Sequence, residues 1–178
     1  MIRTMDRVDR AINQWNQERP DLDVSSMELI GRFSRVNKHL GLEISKTFAQ
    51  HGLKPADFDV LATLRRSGPP YALSPNDLIN STMVTSGTMT NRIDQLSKAG
   101  LVARVKNPDD GRSVVVSLSK AGFKVIDAAV VSHVATQDRL TSGLSKDEQK
   151  CLNRLLKKLS VLELSTIILQ STTMLLAV

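Results

Sequence analysis

The sequence predicts a mainly α-helical fold with one small β-hairpin. Most of the chain repeats its apolar residues every three or four positions, which is the spacing of one helical face. The exception lies between residues 101 and 118, where two β-compatible runs flank the turn-forming sequence Asn107-Pro-Asp-Asp-Gly111. The expected order is therefore five helices, the hairpin and two further helices.

Composition narrows the class of protein. The 178 residues, 41% of them hydrophobic, fit a single domain over residues 1–178. Lys and Arg exceed Asp and Glu by 24 to 18, and this net charge of +6 favours a polyanionic partner such as nucleic acid. With one Cys and three His, neither a disulfide framework nor a metal cluster is expected. The charged start and the lack of a long apolar run favour a cytoplasmic protein without membrane contact.

The first two helices are amphipathic. The segment 5–19 has an apolar face that includes Trp15, and the following proline ends it. A second helix is expected over residues 27–50, with Ser25 or Ser26 as its N-cap.

The middle of the chain predicts a helix-turn-helix unit. One helix follows Pro55, a short helix follows its N-cap Ser74, and a longer helix covers residues 85–99. The longer helix turns three apolar residues inward: Met89, Ile93 and Leu96. Because the hairpin of residues 101–118 follows at once, the unit is expected to be a winged helix-turn-helix.

Two further helices close the chain. Ser119 caps the first, and Ser145 with Glu148 fits a capping box for the last. The terminal helices carry more apolar surface than one small domain can bury, so they are expected to form a homodimer interface. The domain is thus divided into dimerisation helices, residues 1–50 and 119–178, and a DNA-binding lobe, residues 55–118.

The longer helix and the hairpin tip carry candidate DNA contacts. Short hydrogen-bonding side chains suit base edges and phosphates in a major groove, and an arginine at a wing tip suits a narrow minor groove. The candidates are Thr85, Ser86, Thr88 and Asn91 on the helix and Arg112 at the tip. By themselves, an ordinary surface helix and a solvated turn would explain the same residues.

The hairpin and its flanks resemble the MarR family of bacterial regulators. The resemblance rests on Gly100-Leu-Val102, Asp110-Gly-Arg112 and Leu118-Ser-Lys-Ala-Gly122, and it extends over residues 26 to about 165. It implies a winged-helix homodimer that binds double-stranded, pseudo-palindromic operators. In this family a small molecule or oxidation lowers the affinity for DNA.

The added N-terminal helix resembles that of the PecS and HucR branch, whose members respond to urate. The resemblance implies a ligand set of one tryptophan, one aspartate and two arginines. These positions are filled here by Trp15, Asp59, Arg92 and Arg104. These residues can also be explained without a ligand: Trp15 as a residue of the hydrophobic core, and Arg92 as a residue that binds a DNA phosphate. Asp59 lies among apolar residues and needs a cationic partner, for which Arg104 is the candidate; that pair would also serve as a structural salt bridge.

The function predicted is that of a sequence-specific transcriptional regulator, mainly a repressor, which an anionic purine such as urate releases from DNA. The alternatives are the same fold responding to phenolic compounds, oxidants or pH, and an architectural DNA-binding protein without an effector. No catalytic spacing or phosphate-binding loop stands out, so neither an enzyme nor a cofactor is expected. Cys151 is expected to be a buried, inert thiol, and the histidines to lie at the surface.

Overall fold

The structure, a computed structural model, describes residues 5–82, 86–107, 110 and 113–175, and it describes the side chains of these residues except 86, 87 and 161–175. The chain divides into two compact units, Met1–Thr136 and Gln137–Val178. The predicted single domain, with its division into dimerisation helices and a DNA-binding lobe, stays a prediction.

The predicted order of helices and strands is confirmed, with one additional strand. The elements are α1 (Arg7–Glu18), α2 (Ser25–Ala49), α3 (Pro55–Arg66), β1 (Ala72–Leu73), α4 (Pro75–Ser81), α5 (Ser86–Lys98), β2 (Val102–Lys106), β3 (Val114–Leu118), α6 (Lys120–Thr141) and α7 (Lys146–Leu175).

The sheet is antiparallel and has the order β1-β3-β2. Strands β2 and β3 form the predicted hairpin, with Arg104 opposite Val116. Strand β1 was not predicted. It pairs with the other edge of β3, where Leu73 lies opposite the same Val116. A strand of two residues is too short to show an alternating pattern.

The core of the first unit lies between α3, α4, α5 and the sheet. Val60, Leu61 and Leu64 of α3 have no exposed surface, and neither has Val116 of β3. The predicted inward face of α5 is confirmed, since 1% of Met89, 2% of Ile93 and 3% of Leu96 is exposed. The core therefore fixes which side of α5 faces outward.

Most helix caps were predicted correctly. The hydroxyl of Ser74 accepts a hydrogen bond from the Asp77 amide at the start of α4. The Ser119 hydroxyl accepts one from the Gly122 amide at 2.9 Å. The predicted capping box of α7 is also present: the Ser145 amide donates to the Glu148 carboxylate, and the Glu148 amide donates to the Ser145 hydroxyl.

The N-cap predicted for α2 is wrong. Val24 occupies the N-cap position, and Ser25 is the first residue of the helix. The carboxylate of Asp23 accepts the hydrogen bond from the Ser25 amide at 3.0 Å. Aspartate is as good an acceptor for a free helix amide as serine, and here it acts from one position further upstream.

Each unit exposes an apolar stripe on a helix. On α2 in the first unit, four side chains are between 52% and 61% exposed: Leu29, Ile30, Phe33 and Val36. On α7 in the second unit, four leucines are between 36% and 48% exposed: Leu152, Leu155, Leu156 and Leu159. Residues at these spacings share one helical face. Among the described residues, no helix is long and apolar enough to cross a membrane.

Candidate nucleic-acid interface

Helix α5 presents a polar outer face beside a buried inner one. The short helix α4 precedes it, and the hairpin β2–β3 follows it after the turn at Gly100. Thr88 and Asn91 are exposed on the outer face, as predicted for side chains that contact DNA. Ser86 begins the helix, but its side chain is not described. Thr85 and Arg112 lie outside the described residues.

A largely buried ion pair joins α5 to α3. Nη1 of Arg92 donates to a carboxylate oxygen of Asp57 at 2.8 Å, and 16% and 12% of the two side chains are exposed. The Asp57 carboxylate also accepts the Lys54 amide at 2.9 Å, which caps the start of α3. Asp57 therefore satisfies a helix end and a guanidinium together.

The ion pair continues to the outer face of α5 through two amide side chains. The same Nη1 of Arg92 donates to Oε1 of Gln95 at 3.0 Å. Nε2 of Gln95 then donates to Oδ1 of Asn91 at 2.7 Å. We call Asp57, Arg92, Gln95 and Asn91 the α5 network. It joins a buried carboxylate to a predicted DNA contact.

The predicted partner of Arg104 is wrong. Nη2 of Arg104 donates to Asp94 of α5 at 2.5 Å, and 45% of each side chain is exposed. The reason is local. Only the short turn around Gly100 separates α5 from β2, so the end of the helix lies close to the strand. Asp59 is half-buried on α3 and takes part in other interactions.

The four predicted ligand residues lie on different elements. Trp15 of α1 is 43% exposed and lines a depression with Ala11, Gln14, Gln17 and Glu18 of the same helix. Among the described residues, that depression contains none of the other three. Arg92, however, has a feature suited to an anion. Its Nε is buried and has no hydrogen-bond partner in the described part of the chain.

Sequence reasoning missed Asp57 and Gln95. Asp57 lies two residues before Asp59, so the choice between them depended on which one faces α5. One signal favoured Asp57. It is the third residue of a helix that begins with proline, a position where a carboxylate caps the helix start. Gln95 had the weaker signal of being four residues beyond Asn91.

His133 is half-buried instead of fully exposed at the surface. Its ring lies against Phe48 and Phe58, with centroids 5.0 Å from each. Burial lowers the pKa of His133, because an imidazolium loses hydration among these rings. The predicted burial of Cys151 is also wrong, since the thiol is exposed on α7.

The sequence and the fold are both similar to those of known transcriptional regulators. Residues 51–113 match a family model described as the MarR family. The transcriptional regulator PecS of Dickeya dadantii is 41% identical over 145 residues, covering 82% of this chain and 87% of PecS. A mutant MarR of Escherichia coli in complex with operator DNA is 25% identical, covers 82% of this chain and 96% of its own, and has a TM-score of 0.64. Bordetella bronchiseptica BpsR, whose DNA binding is regulated by 6-hydroxynicotinic acid, is 26% identical over 73% of this chain and 91% of its own, with a TM-score of 0.64.

Proposed function

Since the chain belongs to the MarR family of DNA-binding transcriptional regulators, in its PecS-like branch, we propose that it is a cytoplasmic, homodimeric repressor released from its operator by a planar organic anion such as urate. One α5 helix from each copy would enter a major groove of a pseudo-palindromic site, about 34 Å from the other. Thr85, Ser86, Thr88 and Asn91 would contact that groove, and Arg112 the adjacent minor groove. No cofactor is needed for this binding equilibrium.

The observation that carries the effector proposal is the position of Arg92. Its guanidinium belongs to α5 and is largely buried, and its buried Nε has no hydrogen-bond partner in the described part of the chain. A guanidinium has donors only, and the Asp57 carboxylate and a ligand anion are both acceptors. The ligand anion would therefore compete with Asp57 for the N–H groups of Arg92. Pairing with the ligand instead of with α3 would loosen the support of α5. The ligand shifts the protein toward the state that does not bind DNA only if it prefers that state.

Three other residues complete the proposed ligand site. Trp15 would pack against the planar ring, Arg104 would add positive charge, and the Asp59 carboxylate would be disturbed by the incoming anion. BpsR supports the chemical class, because its regulator 6-hydroxynicotinic acid is a planar heteroaromatic acid. Urate shares the planar ring and the negative charge.

The direct experiment is a urate titration of the complex with a labelled, selected DNA site. We expect urate to release the DNA, while the neutral purine nucleoside inosine at the same concentration does not. Release by a phenolic compound or by an oxidant, but not by urate, would keep the regulator and replace its signal. DNA affinity that depends neither on sequence nor on any of these compounds would indicate an architectural protein.

A tryptophan fluorescence experiment tests the ligand site without DNA. Urate is expected to quench the fluorescence of Trp15, the single tryptophan, with a saturable curve. Arg92→Ala removes a charge-assisted hydrogen bond worth about 1.5–3 kcal/mol, so ligand affinity should fall roughly 10- to 150-fold. Asp59→Asn keeps the shape of the side chain, and we expect similar ligand affinity with a weaker response on DNA. Unsaturable quenching of the unmodified protein would discard urate as the ligand.

The exposed stripe of α2 supports the proposed homodimer. Four neighbouring apolar side chains more than half exposed are unusual on a monomer. Phe33→Glu places a charge in that stripe and is expected to convert a dimer into a species of 19.6 kDa in light scattering at micromolar concentration. Lys38→Glu, at an exposed position off the stripe, is the matched control and should stay dimeric. Unmodified protein with the mass of one chain would contradict the proposal.

A further inference from the structure

We propose that the α5 network fixes the Asn91 amide as a hydrogen-bond donor toward DNA, so that this position selects guanine over adenine. The inference rests on the proposed role of α5 as the helix that contacts the major groove. Asp57, Arg92 and Gln95 would not touch the base. They are positioning residues, and their effect on specificity passes through Asn91.

The direction of the hydrogen bonds follows from arginine chemistry. A guanidinium carries five N–H donors and no acceptor. Arg92 can therefore contact Gln95 only through the amide oxygen Oε1, at 3.0 Å. This sets the orientation of the Gln95 amide and leaves its nitrogen toward Asn91. Because that nitrogen is a donor, it meets the oxygen Oδ1 of Asn91, at 2.7 Å.

The buried end of the network holds this order in place. Asp57 accepts from Arg92 at 2.8 Å and from the Lys54 amide at 2.9 Å. Only 12% of Asp57 and 16% of Arg92 is exposed, so water competes little for these groups. Gln95 and Asn91 are exposed. An amide that would otherwise rotate freely in solvent is thus oriented from a buried ion pair.

The network changes the base that Asn91 prefers, compared with an asparagine whose amide is free to rotate. A free asparagine pairs with adenine through both ends of its amide, because its nitrogen donates to N7 and its oxygen accepts from the N6 amino group. In the α5 network Oδ1 accepts from Gln95 and is turned toward that residue, which leaves Nδ2 as the end of the amide directed away from Gln95. The two N–H groups of Nδ2 then suit guanine, which presents acceptors only, at N7 and O6, on its major-groove edge. Cytosine presents a donor at N4 and is disfavoured.

The test is selection of binding sites from a random double-stranded DNA library. Asn91→Ala first identifies the base pair at which preference is lost. At that base pair we expect the unmodified protein to select guanine and Gln95→Met to select adenine, with a roughly 3- to 10-fold change in their ratio, the range expected for one hydrogen bond. Methionine keeps the length of glutamine but offers Arg92 only a weak sulfur acceptor and offers Asn91 no donor.

Two further variants separate specificity from folding. Gln95→Glu keeps an acceptor for Arg92 and replaces the donor to Asn91 by a charged acceptor, so it should lose the guanine preference as Gln95→Met does, beside a loss of affinity for all sequences from the added negative charge. Gln137→Met makes the same substitution at an exposed position of α6 and should leave every base preference unchanged. Placing 7-deazaguanine at the identified position removes the N7 acceptor. It should weaken binding of the unmodified protein about 3- to 10-fold, and of Gln95→Met by less than 2-fold.

The possible results are distinguishable. If the unmodified protein selects no sequence, the proposed function fails. If it selects a site, but Gln95→Met keeps the same base at the Asn91 position, the inference about the network is overturned. Equal loss of affinity for all sequences would overturn it too, because a purely structural role of Gln95 predicts that outcome.

Discussion

Replacing Gly122 by alanine is expected to destabilise the protein by roughly 3 kcal/mol, the upper end of overpacking costs. A Cβ atom at this position would lie 1.9 Å from the carbonyl oxygen of Leu101 and 2.9 Å from its carbonyl carbon. The obstacle is backbone, so no side-chain rotation relieves it. The same carbonyl accepts the Ser119 amide at 3.1 Å. Moving it would therefore also disturb the start of α6.

Thermal unfolding measures this effect. At about 2–4 °C per kcal/mol for a chain of this size, the melting temperature of Gly122→Ala should fall roughly 6–12 °C. Gly41→Ala is the matched control, since Gly41 lies within α2 and a Cβ there meets nothing within 4 Å. It should stabilise the helix by up to about 1 kcal/mol. A Gly122→Ala melting temperature equal to that of the unmodified protein would show that the two backbones separate at little cost.

The role of Gly122 illustrates what the sequence could and could not predict. Ser119 and the following residues correctly predicted the start of α6, because capping depends on neighbours along the chain. The periodicity of α5 likewise predicted which residues are buried. Both signals are local. The close approach of Gly122 to Leu101 depends on how α6 packs beside the turn before β2, and no pattern in the sequence encodes that distance.

Charge pairing was the least predictable part of the candidate site. Asp57 and Asp59 are both carboxylates near the start of α3, and two residues of a helix point about 200° apart. For Arg92 and Arg104 the sequence offers several candidate carboxylates, among them Asp57, Asp59 and Asp94. The choice depends on the crossing of α3 and α5 and on the short turn into β2, which bring Arg92 to Asp57 and Arg104 to Asp94. Residue types alone therefore did not identify Asp57 and Asp94 as the partners of the two arginines.

These two ion pairs differ in burial. Asp57→Ala should lower the free energy of unfolding by about 3 kcal/mol, because removing one partner of a buried pair leaves the other charge uncompensated. Arg92 is 16% exposed, so solvent offers it little compensation. The Lys54 amide loses its capping acceptor in the same substitution. The melting temperature should fall roughly 6–12 °C.

Asp94→Ala is the matched control for that experiment. It removes the same charge from an ion pair on the other side of α5, but 45% of Asp94 and of Arg104 is exposed. Exposed pairs contribute about 0–1 kcal/mol, so the melting temperature should change by less than about 4 °C. Equal effects of the two substitutions would contradict the conclusion that burial makes the Asp57–Arg92 pair the stronger support of α5.

Asp57→Asn separates the charge of this support from its shape. Asp57 accepts from two donors, Nη1 of Arg92 and the Lys54 amide. The single amide oxygen of asparagine can still accept from one of them, so we expect a smaller loss of stability than in Asp57→Ala. The negative charge is absent, however, and Arg92 is then held less firmly against α3. If urate competes with Asp57 for Arg92, Asp57→Asn should bind urate more tightly than the unmodified protein in the fluorescence titration. Weaker urate binding by Asp57→Asn would mean that Asp57 organises the ligand site instead of competing with the ligand.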